Sequence, residues 1–200
     1  MSDAKNQLLA RIRAALHRGL LSTAEQSALT ESMLHPTRGI IPAYLNTDKK
    51  GLMRLFIETA RRSASTIAEL SSRSEVPNAI LQFLKENDLY TRTLQVSQDL
   101  ASIINFEKFA DLKIDFENNK REFSVSITSA VCGISETGTL MMVSEPKHPT
   151  LINFLAETHI IVLATQAIVP SYEDAWDLIR AGSKMPRTVI LSRAPLAPLI

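Results

Sequence analysis

The sequence predicts an α/β protein whose mainly parallel sheet is flanked by helices, behind an N-terminal helical extension. Three observations predict it. Apolar residues recur at helical spacing through the first 62 positions. From there on, short strand-like runs alternate with helical patterns, which is how parallel sheets are built from β-α-β units. Finally, "HIIVLAT" at 159–165 is a continuous apolar run of the kind that sits buried on both faces of such a sheet.

The elements follow in order. Leu8, Leu9, Ile12, Ala15 and Leu16 share one helical stripe, with Arg11, Arg13 and Arg18 on other faces, and Gly19 ends the helix. "STAEQSALTESML" forms a second helix, with Ser22 or Thr23 as N-cap. Two prolines and a glycine break "HPTRGIIPAYLN" into a loop or extended arm. "DKKGLMRLFIETARRS" is again helical, with Leu52, Leu55, Phe56 and Ala60 in line. Residues 1–62 are thus expected as the helical extension and 63–200 as the α/β domain. Within that domain, strands are expected at "ASTIAEL", "TRTLQVS", "EFSVSITSA", "GTLMMVSEP", "HIIVLAT" and "PRTVILS". "EVPNAILQFLKENDL" is a helix whose Pro77 falls in the first turn, where a missing N–H costs little. "TLINFLAET" is a short helix; "SYEDAWDLIRAG" is another, capped by Ser171 with Asp174 three residues on. "DLASIINF" and "FADLKIDFEN" fit either helix or strand.

Composition narrows the function. With 22 basic and 21 acidic residues the formal net charge is +1, which gives no electrostatic footprint for nucleic acid. No apolar run nears the ~18 residues needed to span a membrane, and the amino end lacks the apolar core of a signal peptide. A cytoplasmic protein without membrane insertion is expected. The single cysteine, Cys132, permits neither an internal disulfide nor a thiolate metal cluster. No GxGxxG or GxxxxGK[ST] loop is present, so no cofactor is expected. His17, His35, His148 and His159 show no metal-ligand spacing, and His159 reads as a structural residue opening a strand. Glu173 and Asp174 suit a helix N-terminus, and Trp176 suits the core.

One stretch stands out. "CGISETGTLMMVSEP", residues 132–146, places a carboxylate, hydroxyls and a glycine where a buried strand begins. Ligands of open parallel sheets bind beyond the carboxyl ends of strands, and Thr128 to Thr139 connects two strand candidates. Gly133 and Gly138 permit close backbone approach. Thr128, Ser129, Ser135, Thr137 and Thr139 offer hydroxyls to an anion, and Glu136 can serve as base, nucleophile or anchor. The same run also reads as a tight turn in which Ser and Thr satisfy their own backbone and Glu136 meets an arginine or a helix end. The candidate site is therefore Glu136 as the catalytic residue, with Thr128, Ser135, Thr137, Gly138 and Thr139 binding ligand.

With its Ser-Glu-Thr-Gly-Thr-Leu at 135–140, its histidine-led strand at 159 and its Ile-Val-Pro-x-x-Glu-Asp-Ala at 168–175, the chain resembles the LUD-domain family. Within that family it is most similar to the lactate-utilization group called LutC or YkgG-like, which the amino-terminal "LLARIRAAL" also suits. The resemblance implies a fold related to ribose-5-phosphate isomerase, glucosamine-phosphate deaminase and the CoA transferases (NagB/RpiA/CoA-transferase-like). It further implies an accessory role in oxidising L-lactate to pyruvate beside iron–sulfur partner proteins. An alternative is a small-anion or CoA-type binding enzyme or sensor using the 136–139 turn.

The tail departs from the family. Members continue with Ser-Gly-Pro-Ser-x-Thr-Ala-Asp-Ile-Glu, whereas this chain reads "LSRAPLAPLI". With suitable degenerate bases, reading from the third base of the Ser192 codon yields Ser-Gly-Pro-Ser-Arg-Thr-Ala-Asp-Ile-Glu. A truncated or frameshifted carboxyl end, with the last part of the domain missing, is the expectation; sequencing the gene beyond codon 192 tests it.

Overall fold

The structure, a computed structural model, describes residues 2–89, 93–106, 114–115, 124–182 and 185–193. The tail from 194 onward, on which the reading-frame expectation rests, lies outside the described residues, as does most of "FADLKIDFEN". The chain divides into two compact units, residues 1–40 and 41–200.

The first unit holds α1 (Ser2–Ala15) and α2 (Thr23–Leu34). The left-handed position that ends α1 is taken by His17 (φ 51°), not by Gly19. Ser22 caps α2 in a reciprocal capping box with Glu25, so two of the helix's orphan N–H groups are satisfied.

The second unit begins with α3 (Lys49–Arg62), capped by Asp48 at the Gly51 N–H. This helix belongs with the sheets, not with α1 and α2. Its stripe of Leu52, Phe56, Ile57 and Ala60 packs with Leu163 and Ile168 of the α/β unit. Residues 64–70 form no strand; Ala64 takes a positive φ of 62° straight after the helix. Next comes α4 (Val76–Glu86), with its proline in the first turn as expected.

Two four-stranded sheets follow, where the sequence predicts one mainly parallel sheet. The first runs β2 (Ile114–Asp115), β1 (Leu94–Val96), β3 (Val125–Ser129), β6 (Thr158–Val162), and every pairing is parallel. One face carries Leu94, Val96, Val125, Ile127, Ile160 and Val162 against Val76, Ile80 and Leu84 of α4. Because side chains alternate along a strand, Gln95, Ser126, Thr128 and His159 fall on the other face. Two short helices, α5 (Gln98–Ala101) and α6 (Ile152–Leu155), sit after β1 and before β6.

The second sheet runs β7 (Ile168–Val169), β4 (Cys132–Ile134), β5 (Thr139–Val143), β8 (Val189–Ser192). It is mixed: β4 pairs parallel with β7, while β4–β5 and β5–β8 are antiparallel. The link between β3 and β5 therefore contains a strand of its own, and "CGISETGT" is a hairpin. Cys132, Ile134, Met141 and Val143 face Ala175 and Ile179 of α7 (Tyr172–Arg180). Gly133 turns to the α3 side, where an added Cβ would come 2.7 Å from Leu163 and 2.8 Å from Phe56. Ser171 and Asp174 form the capping box of α7.

Candidate functional site

Two constructions are relevant: the hairpin turn marked by the sequence, and a polar cluster at the carboxyl ends of the parallel strands.

In the turn, Ile134 pairs with Thr139, leaving Ser135 to Gly138 as the loop. The Gly138 N–H reaches the Ile134 carbonyl at 2.9 Å, and Gly138 has φ +67°, where a side chain is strained. An added Cβ there would lie 2.4 Å from the Ala60 nitrogen. The close approach that glycine permits is to helix α3. Ser135 is buried and donates its hydroxyl to the Leu52 carbonyl at 2.9 Å. Thr137 and Thr139 share a 2.7 Å hydrogen bond, and both meet the Tyr172 hydroxyl, at 3.0 and 2.9 Å. Tyr172 opens α7, so the turn is stitched to the helices on either side of its sheet. Glu136 is half-buried; its N–H donates to the Pro170 carbonyl at 3.0 Å, and its carboxylate has no partner among the described residues. The structure thus brings Ser135, Glu136, Thr137, Gly138 and Thr139 into one turn. Thr128 lies in the other sheet, where its hydroxyl bonds His159 Nε2 at 2.7 Å.

The second cluster grows from β1 and β3. Asp99 sits in the first turn of α5, directly after β1, and Ser129 ends β3, so strand pairing brings them together. Ser129 donates its hydroxyl to Asp99 Oδ2. His148 is delivered by a tight bridge in which Glu145 and His148 exchange backbone hydrogen bonds at 3.0 and 3.1 Å. Its Nδ1 lies 3.7 Å from Asp99 Oδ2, and its Nε2 is 3.2 Å from Asn153 Oδ1.

Electrostatics follow from this packing. Burial alone would raise the Asp99 carboxyl, but His148 and Ser129 overcome it and hold it at about 2. Burial alone would lower His148; Asp99, Asn153 and Glu145 outweigh that and raise it. His159 has no such partner: burial, with the His148 charge nearby, pushes it down to about 4. Asp99 and His148 thus each favour the other's charged form, and His159 is neutral near pH 7.

The face beside this pair is unusually polar. Gln95, Ser126 and His159 occupy one row across β1, β3 and β6. Among the described residues, both amide atoms of Gln95, the hydroxyls of Ser97 and Ser126, Asp99 Oδ1 and Asn153 Nδ2 are buried without a hydrogen-bond partner. Each such atom costs about 1–3 kcal/mol. Around the strand ends, Ser129 also borders a cavity of about 350 Å³, shared with Arg73, Thr165, Leu100, Ile103 and Val162.

Sequence reasoning did not find Asp99, His148 or Asn153. Asp99 lies in a stretch that fits two secondary structures, and His148 has no ligand spacing. The usable signal was an acid directly after one parallel strand and a hydroxyl ending its neighbour, "LQVSQD" and "SITS". Among the described residues, no group of three His, Cys, Asp or Glu is placed to hold a metal. No helix among them is long and apolar enough to cross a membrane.

A parallel sheet with polar groups at its carboxyl edge and a mixed sheet built on a hairpin together make an α/β domain. The LUD-domain family model matches residues 53–195, and the chain belongs to that family. In sequence the chain is 26% identical, over 131 residues, to an uncharacterized protein of Neisseria meningitidis serogroup B. The match takes in 64% of this chain and 54% of the relative, so the chain spans about half the length of the curated relative it matches. In fold it is similar to the crystal structure of a DUF162 family protein from Deinococcus radiodurans. The TM-score is 0.64 at 15% identity, covering 76% of this chain and 98% of that one.

Proposed function

We propose that the chain is a LutC-like accessory component of an L-lactate oxidation system, acting beside iron–sulfur partner proteins in the cytoplasm. The observation that carries this is family membership over residues 53–195, joined to a Ser-Glu-Thr-Gly-Thr turn built into the hairpin. On this reading the fold is of the NagB/RpiA/CoA-transferase-like kind. The electron-carrying centres belong to the partners. One cysteine cannot supply a cluster's thiolates, and Cys132 is buried with its thiol pushed up to about 11 by desolvation.

The test is affinity purification of the tagged full chain, under anaerobic conditions, from cells oxidising L-lactate. Iron–sulfur proteins should co-purify in stoichiometric amount, and deleting the gene should abolish lactate-dependent respiration. A chain that elutes alone, from cells whose deletion strain still oxidises lactate, would refute the proposal.

A second reading, a small-anion or CoA-type binding enzyme or sensor at Glu136–Thr139, is favoured by one observation: among the described residues the Glu136 carboxylate has no partner, at a turn whose other side chains are engaged. Glu136→Gln separates the two readings. The accessory role predicts unchanged partner binding; the second predicts lost activity with an unchanged fold.

A further inference from the structure

We infer that the cavity at the carboxyl ends of β3 and β6 is a binding site for a small, apolar-bodied monocarboxylate that also carries a hydrogen-bond donor, a hydroxyl or an amine. The position is the one where parallel sheets bind ligands. The volume, about 350 Å³, lies within the range of small-molecule sites and exceeds what a three-carbon acid would fill. Its wall is apolar in part: Leu100, Ile103 and Val162 supply aliphatic surface for the body of a ligand.

Its polar groups set the rest. Among the described residues, Arg73 is the only cationic side chain lining it, and that guanidinium has no ion-pair partner among them. A planar guanidinium matches a carboxylate in a two-pronged contact. A dianion fits poorly, because the Asp99 charge stands directly behind Ser129 and one cation faces it among the described residues. Ser129 supplies the most specific constraint. Its one hydroxyl proton is committed to Asp99, an ionised carboxylate that can only accept. Toward the cavity Ser129 can therefore only accept in turn, and a matching ligand must donate. The His148–Asp99 pair, with Asn153 behind it, locks that orientation. This site is separate from the Glu136 turn and does not depend on association with iron–sulfur proteins.

Titration calorimetry on the full chain tests it with three probes: 2-hydroxy-3-phenylpropionate, 3-phenylpropionate and L-lactate. The hydroxy acid should bind at least tenfold tighter than 3-phenylpropionate, which lacks the donor, and tighter than lactate, which lacks the body. Ser129→Ala should erase the preference for the hydroxyl while retaining 3-phenylpropionate binding. Arg73→Gln should weaken both aromatic acids about tenfold. Ile103 is 47% exposed, so Ile103→Trp can fill the cavity from its mouth without disturbing the core; binding should be lost with thermal stability retained. No binding of any probe at millimolar concentration overturns the inference. So does equal binding of the two aromatic acids, or undiminished binding to the Ile103→Trp protein. If Ser129→Ala does not fold, the Ile103→Trp result and the probe ranking decide.

Discussion

Gly138→Ala should be among the most damaging single-methyl changes available in this chain, and its cost can be worked from geometry. The new residue must hold φ near +67°. For a non-glycine residue that conformation costs about 1–2 kcal/mol. The added Cβ would also stand 2.4 Å from the Ala60 nitrogen, 2.7 Å from the Thr59 carbonyl carbon and 2.8 Å from the Ala60 Cα. All three are backbone atoms of α3, so no side chain can swing aside. Either the turn or the helix must retreat, loosening the Phe56 and Ala60 packing; overpacking of this kind costs about 1–3 kcal/mol. The sum is roughly 2–5 kcal/mol. At about 2–4 °C per kcal/mol for a unit of this size, Tm should fall by roughly 4–20 °C. Urea and thermal unfolding followed by circular dichroism would measure it, with Gly19→Ala, where a Cβ meets nothing within 4 Å, as the control. Hydrogen exchange adds a spatial check: amides of α3 should exchange faster, while those of α4 stay unchanged. A Gly138→Ala protein within about 0.5 kcal/mol of the parent would show that the turn is not seated on α3, and the reasoning would fail.

The other predictions are shorter. Ser135→Ala removes the donor to the Leu52 carbonyl and should cost about 1 kcal/mol, read from the urea midpoint; an unchanged midpoint would mean the bond contributes nothing. Cys132 is buried with a raised thiol, so an aromatic disulfide reagent at pH 8 should label the native protein negligibly and the urea-unfolded protein fully. Fast native labelling would contradict that burial. His159, held near 4 in the fold against about 6.5 unfolded, binds a proton more readily once unfolded. Stability should therefore fall as pH drops from about 6.5 towards 4, by at most roughly 3 kcal/mol. Asp99, lowered to about 2, loses its contribution only below its ordinary value of 3.8, and His148, raised, loses its own only as pH rises through its folded value. The window from 6.5 to 4 thus reports mainly on His159, and His159→Gln should flatten it. An equally steep loss in that variant would assign the effect elsewhere.

Much of the architecture was legible along the chain. Helices α3, α4 and α7 announce themselves by apolar stripes, and the last two also by Pro77 and the Ser171–Asp174 box, because a helix end needs local partners for its own backbone. The strands β3, β5 and β6 were visible as apolar or alternating runs of five residues. The three-residue β4 and two-residue β7 were not, since a periodicity cannot show in so short a segment. Without them the second sheet and its hairpin were hidden, and with them the mixed pairing.

The sequence by itself determined the family resemblance, the longer helices and strands and the turn that carries Glu136, all of which rest on residues adjacent in the chain. Only the tertiary structure decided what those residues touch. It turned Gly138 and Ser135 toward α3, joined Thr137 and Thr139 to Tyr172, and sent Thr128 to a different sheet. It also assembled Asp99, Ser129 and His148, which come from three separate segments. The physical reason is that parallel strands bring their carboxyl ends together only through pairing between distant segments. No local pattern records which acid will meet which hydroxyl there.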